Sequence, residues 1–191
     1  MPLFRAAYRV DVRNKENVGP PEAPCLIVCN HNMPFDWGVL MVAVPASFRA
    51  QSMAAAGAES IYGNRVRGFV SSLALNAFPF AKEGPAIRSS LLFARKMLAE
   101  GWSIVILPEG TRESDVPMRR FKPGIGWLVA RTGAEVLPIR IDVLRPGLFD
   151  GGSWLRPRGH VCVNFGPRIR LDPEQPYEAI TAELEDAVRE A

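Results

Sequence analysis

The sequence predicts a single three-layer α/β domain, with a mostly parallel or mixed sheet flanked by helices. Two observations carry this expectation. Short apolar runs of strand length alternate along the chain with segments whose apolar residues recur at helical spacing. The chain also has the size and balance of one folded unit: 191 residues, 48% hydrophobic and 23% charged, within the ordinary range for a domain. There is no internal repeat, low-complexity tract or linker, and the Gly/Pro-rich stretches 19–24 and 146–157 read as loops within the domain.

The elements follow in order. Residues 8–12 and 25–29 read as strands, 35–44 as a helix and 76–80 as a further strand. Ile87, Leu91, Leu92 and Leu98 share one stripe of a helix that stops at Gly101. Residues 103–107 form a short, β-branched apolar run of the kind found in buried strands. Residues 123–132 read as a helix with Pro123 in its first turn and Gly133 just past its end. Residues 136–141 and 161–165 read as strands. Tyr177, Ile180, Leu184 and Val188 mark an amphipathic, acidic helix at about 176–190, its acids facing water. In α/β sheets, functional residues gather at strand ends, which directs attention to the loops after 25–29 and 103–107.

Charge is unevenly distributed. The formal net charge is +3, but residues 172–191 hold seven acids and one base, leaving 22 bases and 13 acids in the first 171. A basic body with an acidic tail points to a polyanion, a phosphorylated substrate or a membrane surface as partner. Nucleic acid is not expected: the 19 arginines are dispersed, without a recognition-helix or stacking-platform pattern. The longest run without a charge or strongly polar side chain, 37–48, is 12 residues with a proline inside it, far short of the roughly 20 needed to span a bilayer. Met1 to Arg5 shows no apolar signal-peptide core. Cys25 and Cys29 on one strand would lie about 13 Å apart, too far to bridge or share a metal, so reduced, structural thiols in the cytoplasm are expected.

Four segments carry chemistry. After the second strand, His31 is followed five residues later by Asp36. A carboxylate there can accept a hydrogen bond from one imidazole nitrogen and leave the other as a base. After the strand at 103–107 comes Pro108-Glu109-Gly110-Thr111-Arg112. Gly110 permits close backbone approach, Arg112 presents a fork suited to phosphate oxygens, and Glu109 can hold Arg112 or the loop backbone. Lys122 sits at the start of a helix, where free N–H groups already favour an anion. Lys82 places a cation beyond the strand at 76–80. His160, in a strand beside Cys162, is expected to be structural.

In this order the segments resemble the glycerolipid acyltransferase family, typified by 1-acylglycerol-3-phosphate acyltransferases. The family pattern is His-x4-Asp, a block ending in a basic residue, Pro-Glu-Gly-Thr-Arg and a Pro-containing strand. These look like His31/Asp36, residues 78–82, 108–112, and 136–139 with Pro138. The resemblance spans roughly residues 8–165 and implies that 1–191 form one acyltransferase domain. It implies transfer of a fatty acyl group from acyl-CoA or acyl carrier protein to the hydroxyl of a lysophospholipid such as 1-acylglycerol 3-phosphate. His31 would be the general base and Asp36 its orienting partner. Arg112 would bind the acceptor phosphate with Lys82 and Lys122, while Glu109, Gly110 and Thr111 shape the substrate site. No cofactor beyond the thioester co-substrate and no metal is implied.

Two departures bear on the acceptor. Lys82 stands where the family usually ends its block with arginine, and Glu113 follows Arg112 where a small hydroxyl residue is common. The same chemistry on a different acceptor, including a non-phosphorylated one, is therefore the alternative, with a non-catalytic lipid-binding module behind it. The expected location is the cytoplasm, peripheral on the inner face of the cell membrane. Contact would come through an apolar surface edged by arginines, each basic residue contributing about 1 kcal/mol near an anionic surface.

Overall fold

A computed structural model describes residues 2–20, 22–33, 36–110, 118–147 and 158–191. The elements are α1 (Pro2–Ala7), β1 (Tyr8–Arg13), β2 (Leu26–Cys29), α2 (Asp36–Ala43), α3 (Ala46–Ala50), β3 (Ser52–Gly57), α4 (Arg65–Leu75), β4 (Ala77–Phe80), α5 (Ala86–Ala99), β5 (Ser103–Ile106), α6 (Gly124–Thr132), β6 (Val136–Arg145), β7 (Gly159–Phe165) and α7 (Tyr177–Glu190). The strands form one sheet in the order β1-β7-β6-β2-β5-β3-β4. Neighbours are parallel except β6 and β7. Strands β6, β2, β5, β3 and β4 therefore end on one edge, and the predicted α/β class with a mixed sheet is what the chain adopts.

Why the sheet is layered on both faces is visible in β2. Its four residues are all buried, as are those of β5, because each strand is covered above and below. Ile27 and Cys29 pack with Leu40 of α2 and Phe48 of α3. Leu26 and Val28 face the opposite way, with Ile125 and Leu128 of α6 and Ile180 and Leu184 of α7. In β1 the alternation separates Tyr8, Val10 and Val12, which join the first layer, from a polar face. There Asp11 accepts from Arg9 at 3.1 Å and pairs with His160 at 2.6 Å, the structural role expected for His160.

The structure departs from the sequence expectations at several elements. Strand β6 runs on to Arg145 because its end pairs with β7. The helix expected at 35–44 is α2, ending at Ala43, while Phe35 lies outside the described residues. Pro123 caps α6 rather than opening its first turn. Helices α1, α3 and α4 and strand β3 were not expected. In α7, Glu185 does not face water: it accepts from the Phe121 N–H at 3.0 Å and from Arg189 at 2.7 Å. The three cysteines are buried free thiols, and burial pushes Cys25 up to about 11, which leaves it without useful thiolate at neutral pH. No helix among the described residues is long and apolar enough to cross a membrane.

Candidate active site

The loop after β2 is held by side chains that act as backbone. Parallel pairing of β2 with β6 ends at Cys29 and Ile139. One step on, the buried Asn30 amide donates to the Ile141 carbonyl at 3.0 Å and accepts from the Ile141 N–H at 2.7 Å. Asn32 donates to the same carbonyl at 2.6 Å. The ladder is thus continued by a side chain while the backbone turns away, and His31 sits between the two asparagines.

His31 Nδ1 lies 2.6 Å from Asp36 Oδ2, and the Asp36 side chain is 1% exposed against 23% for His31. The Met33 N–H donates to both Asp36 oxygens, at 3.1 and 3.3 Å, so the carboxyl group is held as an acceptor. Burial raises its pKa, opposed by the His31 hydrogen bond and charge and by the backbone donors of Met33 and Asn32. With Asp36 ionised, Nδ1 carries the hydrogen and Nε2 presents a lone pair from a ring that remains open to substrate. The pair at His160 and Asp11 has the same 2.6 Å separation. It differs in that Asp11 is 38% exposed and its pKa is lowered, mainly by the His160 hydrogen bond.

Glu109, 4% exposed, joins the two motif loops. Its Oε1 accepts from the His31 N–H at 2.7 Å and its Oε2 from the Arg119 N–H at 2.8 Å. Of the two roles expected for Glu109, the structure shows the grip on loop backbone. Burial raises its pKa above the ordinary 4.5, with the two backbone donors opposing. Replacing Glu109 with Gln puts an amide donor where a carboxylate oxygen accepts, so one buried N–H loses its partner. The expected loss is about 1–3 kcal/mol of stability, measured by chemical denaturation. The wild-type chain binds this proton more tightly folded than unfolded. Its stability relative to Glu109→Gln therefore falls as pH rises from about 4 through the raised folded value; denaturation of both proteins across pH 4 to 8 checks the sign.

Gly110 adopts φ +78, which L side chains rarely adopt, and a Cβ there would come 2.9 Å from Lys122 Cε. The glycine lets Lys122 cross the loop. Lys122 donates from its ammonium to the Lys82 carbonyl at 3.3 Å and to Glu83 Oε1 at 3.1 Å. It is therefore a paired ammonium beside Lys82, just before the start of α6. Burial lowers the Lys82 pKa; Glu59 opposes this and the Lys122 charge adds to it. Thr111 and Arg112 lie outside the described residues.

Lys82, Lys122 and Gly110 rim an apolar cavity lined by Phe80, Leu91, Ile106 and Ile125. His31 and Asp36 do not line it. The dyad belongs to the layer of α2 and the cavity to the layer of α5 and α6. Both open at the edge where β2, β3, β4 and β5 end, with Glu109 between them. Asn30 was not singled out by the sequence; the signal available is a buried polar residue directly after an apolar strand. Among the described residues, no group of three or more His, Cys, Asp or Glu side chains is arranged to hold a metal ion.

A partly exposed His31 and a buried Asp36 thus share a strand-end loop of a mixed α/β sheet, tied to a Pro-Glu-Gly loop. The family model described as Acyltransferase matches residues 9–142, and the chain belongs to this acyltransferase family. A 1-acyl-sn-glycerol-3-phosphate acyltransferase of Chlamydomonas reinhardtii is 28% identical over 135 residues, covering 70% of this chain and 39% of that protein. One from Pseudomonas aeruginosa is 25% identical over 171 residues, covering 90% of this chain and 63% of that protein. The chain thus spans well under half the length of the first relative and under two thirds of the second. The fold is similar to the crystal structure of the 1-acyl-sn-glycerophosphate (LPA) acyltransferase PlsC from Thermotoga maritima. The TM-score is 0.68 at 22% identity, over 96% of this chain and 70% of that one.

Proposed function

We propose that this chain transfers a fatty acyl group from an acyl thioester, of coenzyme A or acyl carrier protein, to the free hydroxyl of a lysophospholipid such as 1-acylglycerol 3-phosphate. The observation that carries the proposal is the 2.6 Å contact between His31 Nδ1 and the buried Asp36 carboxyl, in a chain whose relatives are named for this reaction. His31 Nε2 takes the hydroxyl proton as the oxygen attacks the thioester carbonyl. The carbon–sulfur bond then breaks, and the leaving thiolate takes the proton back from the imidazolium. Positioned base catalysis of this kind contributes about 10²–10⁴-fold. No enzyme nucleophile is required, because the acceptor oxygen attacks directly.

In this reading Lys82, with Arg112 and Lys122, attracts the acceptor phosphate, and Glu109, Gly110 and Thr111 shape the loop beside it. The apolar cavity below Lys82 receives acyl-chain methylenes. Substrates that partition into lipid place the chain peripherally at the inner face of the cell membrane. One observation favours a second reading, the same chemistry on a non-phosphorylated acceptor: Lys122 is already bonded to Glu83, which reduces the cation available to a phosphate.

One assay tests both. Thiol release is followed with acyl-CoA of several chain lengths and with acyl-acyl carrier protein, against 1-acylglycerol 3-phosphate and its dephosphorylated counterpart. The expected result is acceptor-dependent thiol release, faster with the phosphorylated acceptor. Preference for the dephosphorylated one selects the second reading. No thioester consumption with any acceptor would sink both.

A further inference from the structure

We propose that the outward face of α4 docks this chain onto an anionic lipid bilayer. The docking rests on the lysolipid reading above for its purpose, and on α4 itself for its location. Val66, Phe69, Val70 and Leu73 are spaced as one helical stripe, yet they are 71%, 69%, 53% and 77% exposed. A helix on a domain surface ordinarily turns such a stripe inward. Here the inward face is Gly68, with Ser71 and Leu75 partly buried, so the helix is seated with its polarity inverted.

That orientation is locked. Tyr62 lies against Gly68, where an added Cβ would come 2.7 Å from its ring. The Tyr62 hydroxyl donates to the Ala77 carbonyl at 2.6 Å and sits 2.8 Å from Ser72 Oγ. Trp37 Nε1 of α2 donates to the Leu75 carbonyl at 2.6 Å. Asn64 caps the first turn, accepting from the N–H groups of Val66 and Arg67. Rolling the stripe toward the sheet would break the Tyr62 and Trp37 contacts.

Charge selects the occupant. Arg65 and Arg67 are exposed beside the stripe, and α4 contains no acid. On the other side of edge strand β4, α5 leaves Leu92 and Phe93 43% and 40% exposed, with Arg88 and Arg95 also exposed. Apolar side chains flanked by arginines suit the boundary between anionic headgroups and acyl chains. A second copy meeting it face to face would bring its own Arg65 and Arg67 to this rim, and α4 offers no acid to meet them. Placement agrees. β3 ends at Gly57, beside Lys82, and the chain re-enters at Arg65. The arginine end of α4 therefore lies at the strand-end edge that carries Lys82, and a bilayer seated on α4 delivers lipid to that edge.

The test is cosedimentation of the chain with phosphatidylcholine vesicles, with and without phosphatidylglycerol. Wild type is expected to bind the anionic vesicles. The double variant Phe69→Ser/Leu73→Ser should bind at least about tenfold more weakly. Arg65→Gln/Arg67→Gln should lose about fivefold per arginine, and most of the salt sensitivity. The altered side chains are exposed, so the unfolding transition and turnover of a short-chain, water-soluble lysolipid should stay at wild-type levels. Three results would overturn the assignment: no binding by wild type, binding unchanged in Phe69→Ser/Leu73→Ser, or a wild-type dimer that this variant converts to monomer. Vesicle binding needs no turnover and soluble-acceptor turnover needs no vesicle. Failure of the docking and failure of the acyl-transfer reading are thereby separately visible.

Discussion

Replacing His31 with Ala is expected to lower acceptor-dependent thiol release by at least about 10²–10⁴-fold, the contribution of a positioned general base, while the unfolding transition stays within about 1 kcal/mol of wild type. The rate falls because the neighbouring carboxyl groups among the described residues are already engaged and cannot stand in for Nε2. The buried Asp36 is turned toward Nδ1 and Met33, and both oxygens of Glu109 are taken by backbone N–H groups. The fold survives because the loop does not hang on the imidazole. The His31 backbone is held by Glu109, and its neighbours Asn30 and Asn32 are held on Ile141. The measurement is kcat with both substrates saturating, alongside a denaturation curve. A variant that keeps turnover within tenfold of wild type would refute His31 as the base.

The second large effect is Asp36→Asn, expected to reduce kcat by up to about 10⁴ with a much smaller change in KM. Asparagine can donate its amide hydrogen to Nδ1, which moves the ring proton to Nε2 and removes the lone pair that accepts the hydroxyl proton. It also removes the negative charge that stabilises the imidazolium as the proton arrives. Burial raises the Asp36 pKa, so the ionised carboxylate is held at a cost that the neutral amide avoids. Stability should therefore change far less than rate. A lowered KM-independent rate with an unchanged denaturation midpoint marks a tautomer effect. Equal losses in both would mark Asp36 as a structural residue instead.

One helix and one strand, α4 and β3, show how sequence and structure divide the information. Val66, Phe69, Val70 and Leu73 have helical spacing, although no helix was expected there, and nothing in that spacing says which way the stripe points. The outward orientation follows from Tyr62, Ala77 and Trp37, residues on other elements. β3 is illegible for a different reason. Its sequence, SMAAAG, offers little branched or aromatic side chain, and it becomes a strand because β5 and β4 pair with it on either side.

The chemical groups were local from the start. His31 and Asp36 are five residues apart, on the short loop between a strand and a helix, so their pairing is readable locally even though Glu109 and Ile141 hold the loop in place. Glycine at 110 and the cations at 82 and 122 are likewise visible as residue types after strands. What the sequence by itself determined is therefore the α/β class, the central strands and the dyad, all of which depend on neighbours within one turn or one strand. Only the tertiary structure decided that Glu109 grips the His31 N–H across 78 residues and that Asn30 grips Ile141 across 111. It also decided that Lys122 is bonded to Glu83 rather than left as a bare cation. These contacts join side chains to groups on distant strands, and their partners become identifiable only once the sheet order has brought those strands side by side.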